Sequence, residues 1–115
     1  LLDYIGLDSS FGVIIDTRAA QFHRELEAIS ACSALWNNIR HIHVSDMHGG
    51  YKQWDAMYPI LAPGTGDVDF PAFFAAVRAH GYDGTVTLES PAMYADRVGV
   101  EELNRYLDFI RKGLA

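Results

Sequence analysis

A carboxylate, an imidazole and a second carboxylate stand at or near the ends of three short strand-like runs. Asp16 closes Phe11 to Asp16, His43 lies within Ile39 to Asp46, and Glu89 closes Gly84 to Glu89. Side chains alternate across a strand, so Gly12, Ile14 and Asp16 share one face, as do His41, His43 and Ser45, and Thr85, Thr87 and Glu89. The opposite faces carry Val13 with Ile15, Ile42 with Val44, and Val86 with Leu88. In each run one face is aliphatic and the other sets a metal-competent group near the C-terminal end. These oxygen and nitrogen donors form a hard-to-borderline set suited to a divalent metal ion: Mn²⁺, Mg²⁺, Zn²⁺, Co²⁺ or Fe²⁺. The set is one ligand short of a four-ligand protein site, so a glutamate from a strand outside this sequence, a water or a substrate would complete it.

Elements able to position these groups are legible around them. From Gln21 to Trp36, Phe22, Leu26, Ile29 and Leu35 recur at roughly helical spacing, which predicts one amphipathic helix ended by Asn37-Asn38. Met47 to Asp67 has no period, two glycine turns and two prolines, and reads as a long loop of the kind that often carries function. Asp69 is suited to cap a helix with Pro71 in its first turn, Phe73, Phe74 and Val77 along its buried stripe, and Gly81 as its stop. Val100 to Leu114 is a further amphipathic helix. Strand, helix, strand, helix, strand, helix implies a parallel sheet covered by helices, because a parallel connection needs a long crossover. Either an open doubly wound sheet or part of a barrel satisfies that order. In a barrel, the polar faces point into the lumen and the strand ends form the rim where active sites sit.

Composition bounds the partners. With 15 acidic against 9 basic side chains the net charge is -6, which disfavours nucleic acid. No run approaches the roughly 18 to 20 apolar residues that cross a bilayer, so no membrane partner is expected. The lone Cys32 makes neither a disulfide nor a cysteine zinc site within one chain and fits a reducing cytoplasm. The 115 residues are expected to form one α/β domain, but Leu1 to Gly6 reads like the last turn of a helix whose beginning is missing. The sequence is therefore expected to begin mid-domain.

Four segments, in order, resemble one family. Gly-Val-Ile-Ile-Asp-Thr at 12–17, Ile-Arg-His-Ile-His-Val-Ser-Asp at 39–46, Pro-Gly-Thr-Gly-Asp-Val-Asp-Phe at 63–70 and Gly-Tyr-Asp-Gly-Thr-Val-Thr-Leu-Glu at 81–89 are similar to the sugar phosphate isomerase/epimerase group of xylose isomerase-like TIM barrels, which also contains the AP endonuclease family. The resemblance implies that the chain is the C-terminal part, about three βα units, of a (β/α)8 barrel. It places Asp16, His43 and Glu89 on metal ligands, and Glu89 also on a carboxylate that moves protons in the epimerases. Its implied activity is isomerisation or epimerisation of a sugar or cyclitol by metal-assisted proton transfer next to a carbonyl. A metal-dependent hydrolase or lyase on the same ligands is the enzyme alternative, and a non-catalytic barrel fragment or assembly module the other. Three such units cannot close eight strands, so self-association or a missing N-terminal half is expected.

The departures carry expectations too. Family members commonly read Asp-Thr-Gly-His where this chain has Asp16-Thr17-Arg18-Ala19, so a substrate- or metal-contacting histidine is missing and Arg18 is a candidate to bind an anion or hydroxyl in its place. Tyr58 and Ile60 replace an Asp-x-His of the AP endonucleases, leaving a three-zinc phosphodiesterase site incomplete. Asp46 either orients His43 from behind, contacts substrate or caps the loop. Trp54, with Tyr51, Tyr58 and Tyr94, either walls a substrate pocket or packs the loop down. His41 is read as a hydrogen-bonded core residue, His23 and His48 as surface residues, and Gly64-Thr65-Gly66 as a structural turn.

Overall fold

The computed structural model describes residues 11–56, 59–89 and 98–115. The expectations for Leu1 to Gly6, Tyr58 and Tyr94 lie outside them. Three strands, β1 (Val13–Asp16), β2 (Ile39–Val44) and β3 (Thr85–Leu88), form one parallel sheet in the order β1-β2-β3. Each strand is shorter than the apolar runs suggested, yet the ladder outlasts them, since the amide of Glu89 donates to the Val44 carbonyl at 2.9 Å.

The alternation is realised with one irregularity. Ile15, Ile42 and Val44 are buried against the helices with Val13, Val86 and Leu88 beside them, while Ile14 on the opposite face is 61% exposed. The β1–β2 register slips between Val13 and Ile14, whose partners are Ile39 and His41, so Arg40 is an extra residue. Such a bulge resets the two-residue period. That is why Ile39 and Ile42, of opposite parity, are both buried. A Cβ on Gly12 would lie 2.2 Å from Cγ of the exposed Arg40 side chain, so a larger residue there would require Arg40 to move.

The helix expected over Gln21 to Trp36 is three pieces: α1 (Thr17–His23), α2 (Leu26–Ala31) and α3 (Ser33–Trp36). The first begins four residues earlier than the apolar period indicates, because Asp16 caps it by accepting from the Ala19 amide at 2.9 Å. It ends where Arg24 turns left-handed at φ 56. The second ends at Cys32, and the indole of Trp36 donates to the Ile29 carbonyl at 2.9 Å, satisfying one of the groups the break frees. The breaks leave Leu26, Ile29 and Leu35 packed on one core, which explains a continuous hydrophobic spacing over a discontinuous helix.

The remaining helices follow the sequence closely. Asp69 caps α4 (Phe70–Ala79) through the Ala72 amide at 3.0 Å, and Phe70, Phe73, Phe74 and Val77 are its buried stripe. Gly81 follows at φ 63, the left-handed position favoured after a helix end. The last helix, α5 (Val100–Leu114), packs on α4 so closely that a Cβ on Gly113 would meet the Phe74 ring at 2.1 Å. Between β2 and α4, the long loop adds a short 3-10 turn at Trp54–Ala56 and a bridge between Asp46 and Leu61. Among the described residues no helix is long and apolar enough to cross a membrane.

Candidate metal centre

The strand register brings the three candidate ligands side by side. Asp16 pairs with His43 across β1 and β2, His43 pairs with Thr87 across β2 and β3, and Glu89 follows β3 directly. One ligand atom each from Asp16, His43 and Glu89 lies within 4.8 Å of the other two, and all three residues are half-buried. Donors on a common ion at about 2.2 Å stand at most about 4.4 Å apart. Small side-chain rotations therefore bring the set to bonding distance. The donor chemistry and the spacing fit a divalent ion.

Two of the three ligand candidates, Asp16 and Glu89, are held by hydrogen bonds from neighbouring residues. Asp16 commits Oδ1 to the Ala19 amide, so the helix-capping and metal-facing readings of this residue are compatible. Thr17, fully buried, stitches the rim: its hydroxyl donates to the Ser45 carbonyl at 2.6 Å and accepts from the Ser45 amide at 3.1 Å. The Ser45 hydroxyl in turn donates to Glu89 Oε2 at 3.1 Å. Neither role was visible in the sequence beyond the placement of Ser45 two residues after His43 on its face. A hydroxyl pair of this kind carries no spacing signature.

The structure gives Arg18 and Asp46 definite partners. The guanidinium Nη2 of Arg18 lies 3.4 Å from both oxygens of Glu89, with the arginine side chain 8% and the glutamate 17% exposed. Arg18 thus faces the ligand set rather than open solvent. Asp46 takes the loop-capping role among those expected of it: its carboxylate is fully buried and accepts from four backbone amides, Met47 (2.8 Å) and Val68 (3.1 Å) on Oδ1, Gly64 (3.0 Å) and Gly66 (2.8 Å) on Oδ2. A carboxylate offers about four acceptor sites, so none remains for His43 or a substrate. It is the clasp of the loop. The same contacts turn the Gly64 and Gly66 amides away from any phosphate.

Trp54 is 71% exposed and its indole lies on the Phe22 ring, 4.7 Å between centroids. It packs the loop onto α1, one of its two expected roles, while no described contact of Trp54 reaches the three ligand candidates. Tyr51 is also exposed, flanked by Lys52 and Arg24. His41 is a correction: it is half-buried, with its ring edge-on to His43 at 4.8 Å and no hydrogen bond among the described residues. Ile14, on the same face of the sheet, is 61% exposed among the described residues. His23 and His48 are at the surface as expected, His48 beside Asp67 at 3.6 Å.

The family model for xylose isomerase-like TIM barrels matches residues 1–112. The chain belongs to that family. A ketose 3-epimerase of Arthrobacter globiformis is 30% identical over 105 residues, which is 89% of this chain and 30% of that protein. Among solved structures of the same barrel type, a xylose isomerase domain protein from Alicyclobacillus acidocaldarius superimposes with a TM-score of 0.74 at 18% identity, covering 98% of this chain and 40% of that one. The IolI protein, solved with a bound zinc atom, gives 0.73 at 15% identity with the same coverage. The chain therefore spans well under half the length of the xylose isomerase-like barrels it matches, and its three βα units are one sector of such a barrel.

Proposed function

We propose that Asp16, His43 and Glu89 are ligands of one divalent metal ion in a xylose isomerase-like barrel, and that this barrel isomerises or epimerises a sugar or cyclitol. The observation that carries the reading is the convergence of the three donors within 4.8 Å at the C-terminal ends of adjacent parallel strands. Membership of a family that includes a ketose 3-epimerase and a zinc-bound structure supports the chemical class.

A bound divalent ion supplies a Lewis acid that polarises a carbonyl and offsets the charge of an enediolate. The chain's residues supply the rest. Asp16 and His43 would hold the ion from directly paired positions of neighbouring strands. Glu89 moves the proton: its carboxylate faces the same point, and the donors Ser45 and Arg18 hold its plane so that it meets the C–H next to the carbonyl rather than rotating away. A second base across the substrate, delivering the proton to the other face or the next carbon, belongs to the part of the barrel beyond this sector.

The test is solvent exchange. Incubated in D₂O with a ketose and Mn²⁺, the whole barrel should place deuterium on the carbon beside the carbonyl, as read by NMR. Chelation should abolish that signal and Mn²⁺ should restore it. Substrate cleavage without exchange would instead establish a hydrolase or lyase on the same ligands, and neither reaction would leave the segment a non-catalytic piece of the barrel.

A further inference from the structure

We propose that Arg18 is a resident counter-ion of the metal centre: a built-in cation that competes for Glu89 and thereby sets how tightly a divalent ion is held. The inference rests on the reading of Asp16, His43 and Glu89 as ligands and goes beyond it. Nη2 of Arg18 is equidistant, at 3.4 Å, from both oxygens of Glu89. Equal distances mean that its charge acts on both oxygens alike. The Ser45 hydroxyl also engages Oε2, so of the two oxygens Oε1 has Arg18 as its one described partner and is the one an ion would have to share.

Screening here is weak because both side chains are largely withdrawn from water. A guanidinium also keeps its charge at any working pH, so the competitor is permanent. Arg18 lies two residues beyond Asp16 in the first turn of α1, which is fixed by the Asp16 cap and by the buried Thr17 hydroxyl. The side chain is therefore rooted beside the ligand set. An ion drawn in by Asp16 and His43 meets a glutamate already neutralised.

Calorimetric titration of the purified protein with Mn²⁺ separates this role from that of a simple strut. Arg18→Met, of similar length but uncharged, is expected to bind Mn²⁺ roughly tenfold or more tightly than the parent, since repulsion of the incoming ion is removed. Arg18→Lys, which keeps the charge, should stay within about threefold of the parent. Metal-free Arg18→Met should also melt at a lower temperature, because Glu89 loses its counter-ion, and saturating Mn²⁺ should restore the melting point. Should Arg18→Met fail to fold, Arg18→Gln, which retains a hydrogen-bond donor without charge, carries the same comparison. Equal or weaker Mn²⁺ binding by the uncharged variant, with the parent binding normally, overturns the counter-ion role and leaves the metal centre standing. Absence of Mn²⁺ binding in the parent and every variant overturns the metal centre and this role with it.

Discussion

Glu89→Gln is expected to lower solvent-exchange activity of the whole barrel by about 10²- to 10⁴-fold, the usual worth of a positioned general base. The amide matches the carboxylate in size and still accepts from the Ser45 hydroxyl, so packing at the end of β3 is preserved. What it loses is the capacity to take a proton and the charge opposite Arg18. Loss of one charged donor should also weaken metal binding. Ser45→Ala keeps the carboxylate and removes only one of its two restraints, so it should cost far less, about tenfold. Measuring exchange for both variants, with far-UV circular dichroism as a folding control, checks the ordering. Equal losses, or an unimpaired Glu89→Gln, would remove Glu89 from the chemistry.

Asp46→Ala should be the most destabilising single change among the residues discussed, at about 3 to 5 kcal/mol. Four amides converge on this carboxylate from Met47, Gly64, Gly66 and Val68. Hydrogen bonds to a buried charge are worth about 1.5 to 3 kcal/mol each, and their sum is reduced because water can enter a loosened loop. The site is also sterically closed: a Cβ on Gly66 would lie 2.4 Å from the Met47 carbonyl and 2.5 Å from the Asp46 carboxylate. Asp46→Asn should recover part of the loss, since its amide oxygen still accepts while its NH₂ faces N–H donors. Denaturant unfolding of the two variants measures this directly. A midpoint within experimental error of the parent, with altered substrate binding, would return Asp46 to the substrate.

How much of this was legible beforehand depended on period. The lumen and helix faces of the strands could be assigned from two-residue alternation, and α4 and α5 from stripes and caps, because those signals are local. Asp16, His43 and Glu89 were legible as a set for the same reason: alternation gives the face, and parallel order gives the end. The Arg40 bulge escaped because a register slip is a property of two strands and leaves no mark in one. The breaks at Arg24 and Cys32 escaped because the pieces of the broken helix keep facing one core, so the hydrophobic spacing persists through them. For Asp46 the loop cap was one reading among three, and the sequence could not choose it, since its partners are backbone amides up to 22 residues away. Arg18 was marked by its departure from the family pattern, while its partner, 71 residues distant, is a fact of the fold alone.

The most direct measurement is Mn²⁺ binding to the protein, its Asp16→Ala variant and its His43→Ala variant, by equilibrium dialysis with stability measured in parallel. The parent is expected to hold one ion per chain. Each substitution should weaken binding by at least about tenfold, the lower end of what disturbing even an outer partner of a ligand costs. Unchanged stoichiometry and affinity in both variants, with the fold intact, would contradict the metal centre formed by Asp16, His43 and Glu89.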